Sequence, residues 1–582
     1  MLNHSRQKWW FLSAFVLVCL IQIISASQHQ LFGDEAFYWL ESQNLDWSYA
    51  ELPGWTQWMI ALSQQWLPKS ELTVRLPSLL AAASIPWVGM AISKITQPRN
   101  TSTWHTGLLL LALPMLMLAG ILALPDIWII FFGGLAVFFL MQGVKFPKRS
   151  WFFLLGLTLA LGINVHVRFW MVIFIAATVT LVQYRTYRQI IKYLLLITMP
   201  TMLLGFIPIM LFNLHYDFPL LTFQFSDRHP WSFQPAHVSF FLIQIIVTSP
   251  VMFVLFIMTT RHYKDMNIQQ KTIMSIALAH WCLYAVLGFF SDDLRFNWHW
   301  SLLSYVLITI AVTPRKIGSA LLGWSKLTGF FCSVGLMSWL YWALHLSQPI
   351  SQLNERFTEN ARGWKELAYA TQKQIKNTGI QYIITDQFMT LANLKFYLDG
   401  DQTITTLTHP LNQKHGRQLQ LEIMGLEQSA TKGKNLLVVE QTALKLEQTI
   451  PFYQMACKKL NGIKLRDTLD YQQGIKSFYF FETGVGICEI PPIIYATTEN
   501  NQISGWVLHS KLQPLHVTLS DGSSPSKTDT SSIGSNPLFE SLNSNLYILT
   551  KFKFNDHPTL IHGQLSVKSN QLKINSQRMF FD

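Results

Sequence analysis

Charge is scarce in this chain. Asp, Glu, Lys and Arg make up 13% of its 582 residues, while half are hydrophobic. A soluble domain carries about a quarter charged residues, which excludes a wholly soluble protein. Cysteine is scarce too, with five in the chain. No Cys-x-x-Cys pair or Cys/His spacing supplies a zinc site. Cys19, Cys282 and Cys332 fall in apolar runs and are expected to be small core residues. Phosphate-cradling motifs are missing: there is no Walker loop, and no GxGxxG between a strand and a helix. A serine-hydrolase elbow is missing as well. No DxD stands on a soluble domain on the cytoplasmic side, as a cytoplasmic nucleotide-sugar enzyme would want.

What the chain has in quantity is apolar runs of membrane-spanning length. They lie near 9–26, 73–95, 104–120, 126–143, 151–165, 168–183, 193–212, 238–259, 272–290, 299–313 and 323–345. The expectation is a polytopic α-helical membrane protein with about eleven spans. One set of loops holds Arg6 and Lys8; Lys94 and Arg99; Lys145, Lys148 and Arg149; Arg185, Arg188 and Lys192; Arg261, Lys264 and Lys271; Arg315 and Lys316. These alternate with loops holding Asp34 and Glu35, Asp126, and Asp292 with Asp293. By the positive-inside rule the basic set is cytoplasmic. The net charge of +12 therefore reflects topology, and no nucleic-acid partner is expected. The first run reads as an uncleaved signal anchor with its N-terminus inside. An odd number of spans puts everything after about Leu346 outside.

Several polar residues then gather on the outer face. Gly33–Asp34–Glu35–Ala36–Phe37–Tyr38–Trp39 directly follows the first run and continues through Trp47, Tyr49, Glu51 and Pro53. Two adjacent carboxylates at the membrane–water boundary, among aromatics that favour it, suit acid–base chemistry on a lipid-anchored substrate. Arg75, Asp126, His166 and Arg168 stand at span ends. A loop from Asn213 to His237 carries Phe223, Gln224 and Arg228, and another reads Arg295–Phe296–Asn297–Trp298–His299–Trp300. Ionisable groups so near hydrocarbon are costly unless paired or in a wet cavity. Singly, each also reads as an interfacial anchor or a snorkelling side chain. Convergence on one face favours a functional site, with basic groups for an anion and carboxylates for a sugar. A lipid-linked phosphate fits that pattern.

Three divisions follow: membrane residues 1–346, an external α/β domain at 347–490, and an external β-sandwich-like domain at 491–582. The buried-strand patterns are Tyr382–Thr385, Leu436–Val439 and Ser477–Phe481, alternating with helix-like stretches. Pro491–Pro492 reads as a linker, the later short strands as a small β-sandwich, and Gly522 to Asn536 as a loop. Cys457 and Cys488 are the two cysteines of the external part and are expected to pair in an oxidising compartment.

The motif Gly33–Asp34–Glu35–Ala36–Phe37–Tyr38–Trp39 with Glu51–Leu52–Pro53 resembles the first external loop of the GT-C membrane glycosyltransferases. More narrowly, it resembles the bacterial protein-mannosyltransferase-like and aminoarabinose-transferase-like group. Leu124–Pro125–Asp126, Arg75–Leu76–Pro77–Ser78, Phe223–Gln224 with Arg228–His229–Pro230, Asn297–Trp298 and Gly363–Trp364–Lys365–Glu366–Leu367 match that group in order. The resemblance implies a GT-C enzyme of the bacterial inner membrane that takes a sugar from a polyprenyl-phosphate donor to a lipid, glycan or protein acceptor. It implies catalytic roles for Asp34, Glu35 and Asp126, with Asp34 as base on the acceptor hydroxyl. Arg75, Arg168 and Arg228 become candidates for the donor phosphate, and Tyr38, Glu51, His166 and Asn297 for the substrate cavity. The resemblance names no certain cofactor; a divalent metal held by Asp34, Glu35 and Asp126 stays open. The group has His or Lys before the loop-one proline, and this chain has Leu52 there. The alternatives are a lipid-linked sugar transporter and an O-antigen polymerase or ligase.

Overall fold

The computed structural model describes residues 2–97, 103–228, 232–290, 298–314, 316–345, 360–380, 382–428, 434–441, 446–471 and 476–491, and the strands beyond. The chain divides into two compact units, Met1–His345 and Leu346–Asp582.

The first unit is helical. Helix α1 (Leu2–Gln28) bears no charge beyond Lys8. Its 27 residues reach about 40 Å, enough to cross a hydrocarbon core of about 30 Å. Two short helices follow, α2 (Gly33–Ser42) and α3 (Trp55–Trp66). Helix α4 (Glu71–Thr96) starts at Ser70, whose hydroxyl accepts the Thr73 N–H at 3.2 Å. The 104–120 run breaks into α5 (Thr103–Leu111) and α6 (Pro114–Ala119), because Pro114 lacks the N–H that would continue a helix but suits its first turn. Helices α7 (Pro125–Lys145), α8 (Arg149–Ile163) and α9 (Val167–Tyr184) come next. Beyond them run Arg188–His215, a pair Pro235–Thr248 and Pro250–Arg261 bent by 103°, Ile268–Phe290, Leu302–Ala311 and Ser319–His345. Ser249, at the bend, holds φ at 73°, which a non-glycine residue adopts only when its surroundings enforce it.

Among the described residues, seven helices are long and apolar enough to cross a membrane, or eight if the bent pair is one span. Every expected run falls on helix. The shortfall from about eleven lies in the broken α5–α6 and in two short helices, α8 with 15 residues and Leu302–Ala311 with 10. The core of the unit is a continuous apolar cluster that includes Ile85 of α4, Phe132 of α7, Val172 of α9 and Leu303.

The second unit holds a five-stranded sheet in the order β2-β1-β3-β5-β4. Its strands are β1 (Tyr382–Thr385), β2 (Thr403–Thr406), β3 (Leu436–Glu440), β4 (Ile463–Tyr471) and β5 (Lys476–Thr483). β1 pairs in parallel with β2 and β3, and β5 runs antiparallel to β3 and β4. All of β3 and β5 is buried, as expected for strands covered on both faces. Seven further strands follow: β6 (Ile493–Glu499), β7 (Gln502–Ser510), β8 (His516–Leu519), β9 (Lys527–Ser531), β10 (Tyr547–Phe554), β11 (Leu565–Lys568) and β12 (Lys573–Ser576), forming antiparallel sheets in the orders β6-β7-β10-β9 and β12-β11-β8. The stretch read as a loop contains β9 (Lys527–Ser531), which pairs with β10 (Tyr547–Phe554). Alternating Thr and polar residues support a strand once a partner edge is present, and composition alone hid it. Pro492 lies outside the described residues.

Cys457 and Cys488 form a disulfide with 5.5 Å between Cα atoms. It closes a loop with a sequence separation of 31. Serine at both positions is expected to lower the stability of the second unit by roughly 3–4 kcal/mol by the chain-entropy relation. Thermal unfolding of the full-length protein, oxidised against double-serine, measures it.

Asp386 follows β1 and is fully buried. Its Oδ1 accepts the Gln387 N–H at 2.8 Å and its Oδ2 the Glu440 N–H at 2.9 Å. Burial first, and the neighbouring Glu440 charge second, push its pKa up to about 7. A carboxyl raised on folding stabilises the folded state at low pH, and that contribution is lost as pH rises toward about 7. The second unit is therefore expected to melt higher at pH 5 than at pH 8. Asp386→Asn should flatten that dependence in a melting series over the same range.

Candidate active site

Helix α2 opens with Asp34 and Glu35 in its first turn. Nine of its ten residues are buried; Asp34 is the exception and is half-buried. Glu35 turns inward. Its Oε2 accepts the Phe32 N–H at 2.9 Å and the Arg75 Nη2 at 2.6 Å. Its Oε1 accepts Arg75 Nε at 2.8 Å and the Ala123 N–H at 2.7 Å. Arg75 also donates through Nη1 to the carbonyls of Ala26 (2.9 Å) and His29 (2.8 Å), and through Nη2 to that of Gln30 (2.9 Å). A guanidinium has five N–H donors, and these contacts use all five. Arg75, a phosphate candidate by sequence, is thus placed as internal scaffold. Glu35 is likewise committed at both oxygens, which removes it from the open metal set. Among the described residues no group of three His, Cys, Asp or Glu could hold a metal ion.

The Glu35–Ala123 bond sets the position of the next segment. Ala123 leads into Leu124, Pro125 and Asp126 at the start of α7. Asp126 Oδ1 accepts Arg168 Nη1 at 2.9 Å and His299 Nε2 at 3.1 Å. The Arg168 guanidinium lies over the Trp300 ring, 5.1 Å from its centre. His166 caps α9: its Nδ1 accepts the Arg168 N–H at 3.0 Å. A neutral imidazole has one acceptor nitrogen. With Nδ1 so used, Nε2 carries the proton, and its 3.4 Å approach to Arg168 Nε is a packing contact. Among the described residues Arg168 Nη2 has no hydrogen-bond partner.

A third element closes on the first loop. Tyr49 N donates to the Leu52 carbonyl at 2.9 Å, and Ser48 bridges to Pro53. Gln224 Nε2 donates to the Glu51 carbonyl, and Gln224 Oε1 accepts Arg228 Nη1 at 2.9 Å. Arg228 is thereby tied through Gln224 to Glu51, the residue before Leu52, where the sequence lacks a cation. The segment enters through Asp217 (φ 63°) and Phe218 (φ 60°), both left-handed. Trp55 N donates to the Asn164 carbonyl at 2.8 Å, joining the first loop to the turn that carries His166.

The structure therefore ties the α2 turn that carries Asp34 and Glu35 to the segment leading into Asp126, and Asp126 to Arg168 beside His166. Arg228 is joined to the first loop through Gln224, which donates to the carbonyl of Glu51, itself buried. Tyr38 is buried on α2. Asn297 lies outside the described residues. His299, Trp300 and Gln224 were missed as site residues. The aromatic, polar run Trp298–His299–Trp300 was the available signal, but nothing in it told which side chain faced Asp126.

A family model described as dolichyl-phosphate-mannose-protein mannosyltransferase matches residues 53–212. That range holds Arg75, Asp126, His166 and Arg168. No curated protein sequence matches the chain. Two solved structures of ArnT from Cupriavidus metallidurans are similar over most of its length. The apo structure superposes with a TM-score of 0.58 at 13% identity, covering 82% of this chain and 98% of that one. The structure bound to undecaprenyl phosphate gives 0.55 at 13% identity, covering 81% and 98%. The chain has the fold of the GT-C membrane glycosyltransferases. Within the GT-C fold the first loop, the start of α7 and the start of α9 are joined by the hydrogen bonds above. The resemblance read from the first loop thus holds at the level of fold.

Proposed function

We propose that this protein transfers a sugar from a polyprenyl-phosphate carrier to an acceptor hydroxyl at the outer face of the bacterial inner membrane. The observation that supports it is the 2.7 Å bond from Ala123 N–H to Glu35 Oε1. It ties the helix turn that carries the half-buried Asp34 to the segment leading into Asp126, the carboxylate that holds Arg168. A base and a cation thus share one outer site beside the apolar spans.

The acceptor oxygen attacks the sugar C1, and its proton passes to Asp34. The bond from C1 to the phosphate oxygen breaks, and the electron pair leaves with the polyprenyl phosphate. Arg168 and Arg228 offset the charge gathered there. Asp126 orients Arg168, while Glu35 and Arg75 hold the scaffold. Tyr38, His166 and Glu51 take the sugar side in this reading, with Asn297 assigned there from the sequence alone. The acceptor is a lipid, glycan or protein of the envelope. The outer-face assignment draws support from the basic-loop pattern and from the Cys457–Cys488 disulfide, which belongs in an oxidising compartment.

The test uses purified protein in nanodiscs with radiolabelled polyprenyl-linked sugars extracted from the same cells, plus envelope lipid and glycan fractions. Formation of a labelled acceptor supports transfer. Movement of label across the bilayer without a new sugar–acceptor bond would replace this reading with a lipid-linked sugar transporter.

A further inference from the structure

His299 is held unlike the other polar residues of the site. Its Nε2 lies 3.1 Å from Asp126 Oδ1, so the hydrogen sits on Nε2 and the opposite nitrogen, Nδ1, points away from the carboxylate. Among the described residues Nδ1 has no hydrogen-bond partner. The side chain is 25% exposed, against 15% for Asp126, so it opens to water more than its partner does. The same Asp126 oxygen already receives Arg168, which alone balances its charge. The imidazole is an addition to a complete ion pair.

The backbone around His299 is pinned from a separate element. Gln244, fully buried, donates to the Trp298 carbonyl at 3.2 Å. Its Oε1 accepts the Ser301 hydroxyl at 2.6 Å and the Tyr305 hydroxyl at 2.8 Å. Leu302 N donates to the His299 carbonyl at 3.0 Å. An imidazole oriented by a carboxylate at one nitrogen and open at the other is the arrangement that moves a proton. Arg168 and His299 share one oxygen, so an anion resting on Arg168 lies within reach of the ring.

We infer that His299 is the proton donor to the departing phosphate, an assignment that rests on the transfer reading above. As the C1–O bond breaks, the phosphate oxygen takes the electron pair, and imidazolium Nδ1–H gives it a proton. His299 is left neutral. Asp34 releases the acceptor's proton to water, and His299 takes one up, so protons balance over a turnover.

A donor works only when protonated. Turnover should therefore fall toward high pH. His299→Gln keeps an N–H toward Asp126 but cannot donate a mobile proton. It is expected to lower kcat about a hundredfold with little change in KM, and to erase that limb of the pH profile. Undecaprenyl phosphate serves as an independent probe. The variant should bind it about tenfold more weakly than wild type at pH 6 and equally at pH 8. Wild-type transfer with an unchanged rate and pH profile in His299→Gln overturns the His299 assignment and leaves the transfer reading intact. If wild type forms no sugar–acceptor bond, the transfer reading fails first. Undecaprenyl phosphate binding that is then identical in both proteins at pH 6 overturns the His299 site as well.

Discussion

Asp34→Asn is expected to leave the protein folded in the membrane and to reduce sugar transfer by about a hundredfold to ten-thousandfold, the usual range for loss of a general base. The residue sits where a base can be both fixed and reachable. The neighbouring Glu35 carboxylate anchors the first turn of α2 through Phe32 N–H and Ala123 N–H. The rest of that helix is buried, so α2 cannot shift without disturbing Phe37, Trp39 and Leu40. Asp34 is the one side chain of the helix left half-open. Asparagine keeps its volume and removes its charge and its capacity to take a proton. The cost should therefore fall on kcat and spare the melting temperature. Single-turnover transfer in nanodiscs, with undecaprenyl phosphate binding as a control, separates chemistry from donor affinity. Equal single-turnover rates for wild type and variant would remove Asp34 as the base. Glu41 of the same helix is fully buried and accepts Gln57 Nε2 at 2.7 Å, which places it in the packing between α2 and α3.

The first loop was legible because it combines two signals that rarely coincide, adjacent carboxylates and a membrane-length apolar run immediately before them. The positions of Asp126 and Arg168 were legible for the same reason, as charges at the ends of apolar spans. Which charge pairs with which was not. Arg75 and Arg168 look alike in sequence: each is a lone arginine in an apolar setting near the end of a span. One spends every donor on Glu35 and three carbonyls, and the other reaches Asp126 with Nη1 and lies over an aromatic ring. That difference depends on contacts 40 or more residues apart, which periodicity does not encode. Arg228 illustrates the same limit. The loss of a cation at Leu52 was visible, but its neighbour across the loop was not, because Gln224 spans 173 residues to reach Glu51. Hydropathy found every helical run, but a run of apolar residues does not reveal a break such as that at Pro114 or the bend at Ser249.

Arg75→Met is expected to destabilise the membrane unit by roughly 3–5 kcal/mol, the cost of leaving a buried charge without its partner. The side chains of the pair are 3% and 0% exposed. Three of the arginine's five contacts go to the carbonyls of Ala26, His29 and Gln30, at and just past the end of α1, where helical carbonyls lack partners of their own. Glu35 in turn collects the Phe32 N–H at the start of α2 and the Ala123 N–H ahead of α7. One ion pair therefore joins the end of α1, the start of α2, α4 and the turn before α7. Arg75→Lys keeps the charge but has three donors for five acceptors, and should fall between wild type and methionine. Glu35→Gln strands the arginine instead and should cost a similar amount. The double change Glu35→Gln with Arg75→Met should cost less than the sum of the two, because neither charge is then left alone. Retention of monodisperse protein after heating in detergent ranks the four variants. An Arg75→Met protein that stays as stable as wild type but no longer binds undecaprenyl phosphate would move Arg75 from the scaffold to the donor phosphate.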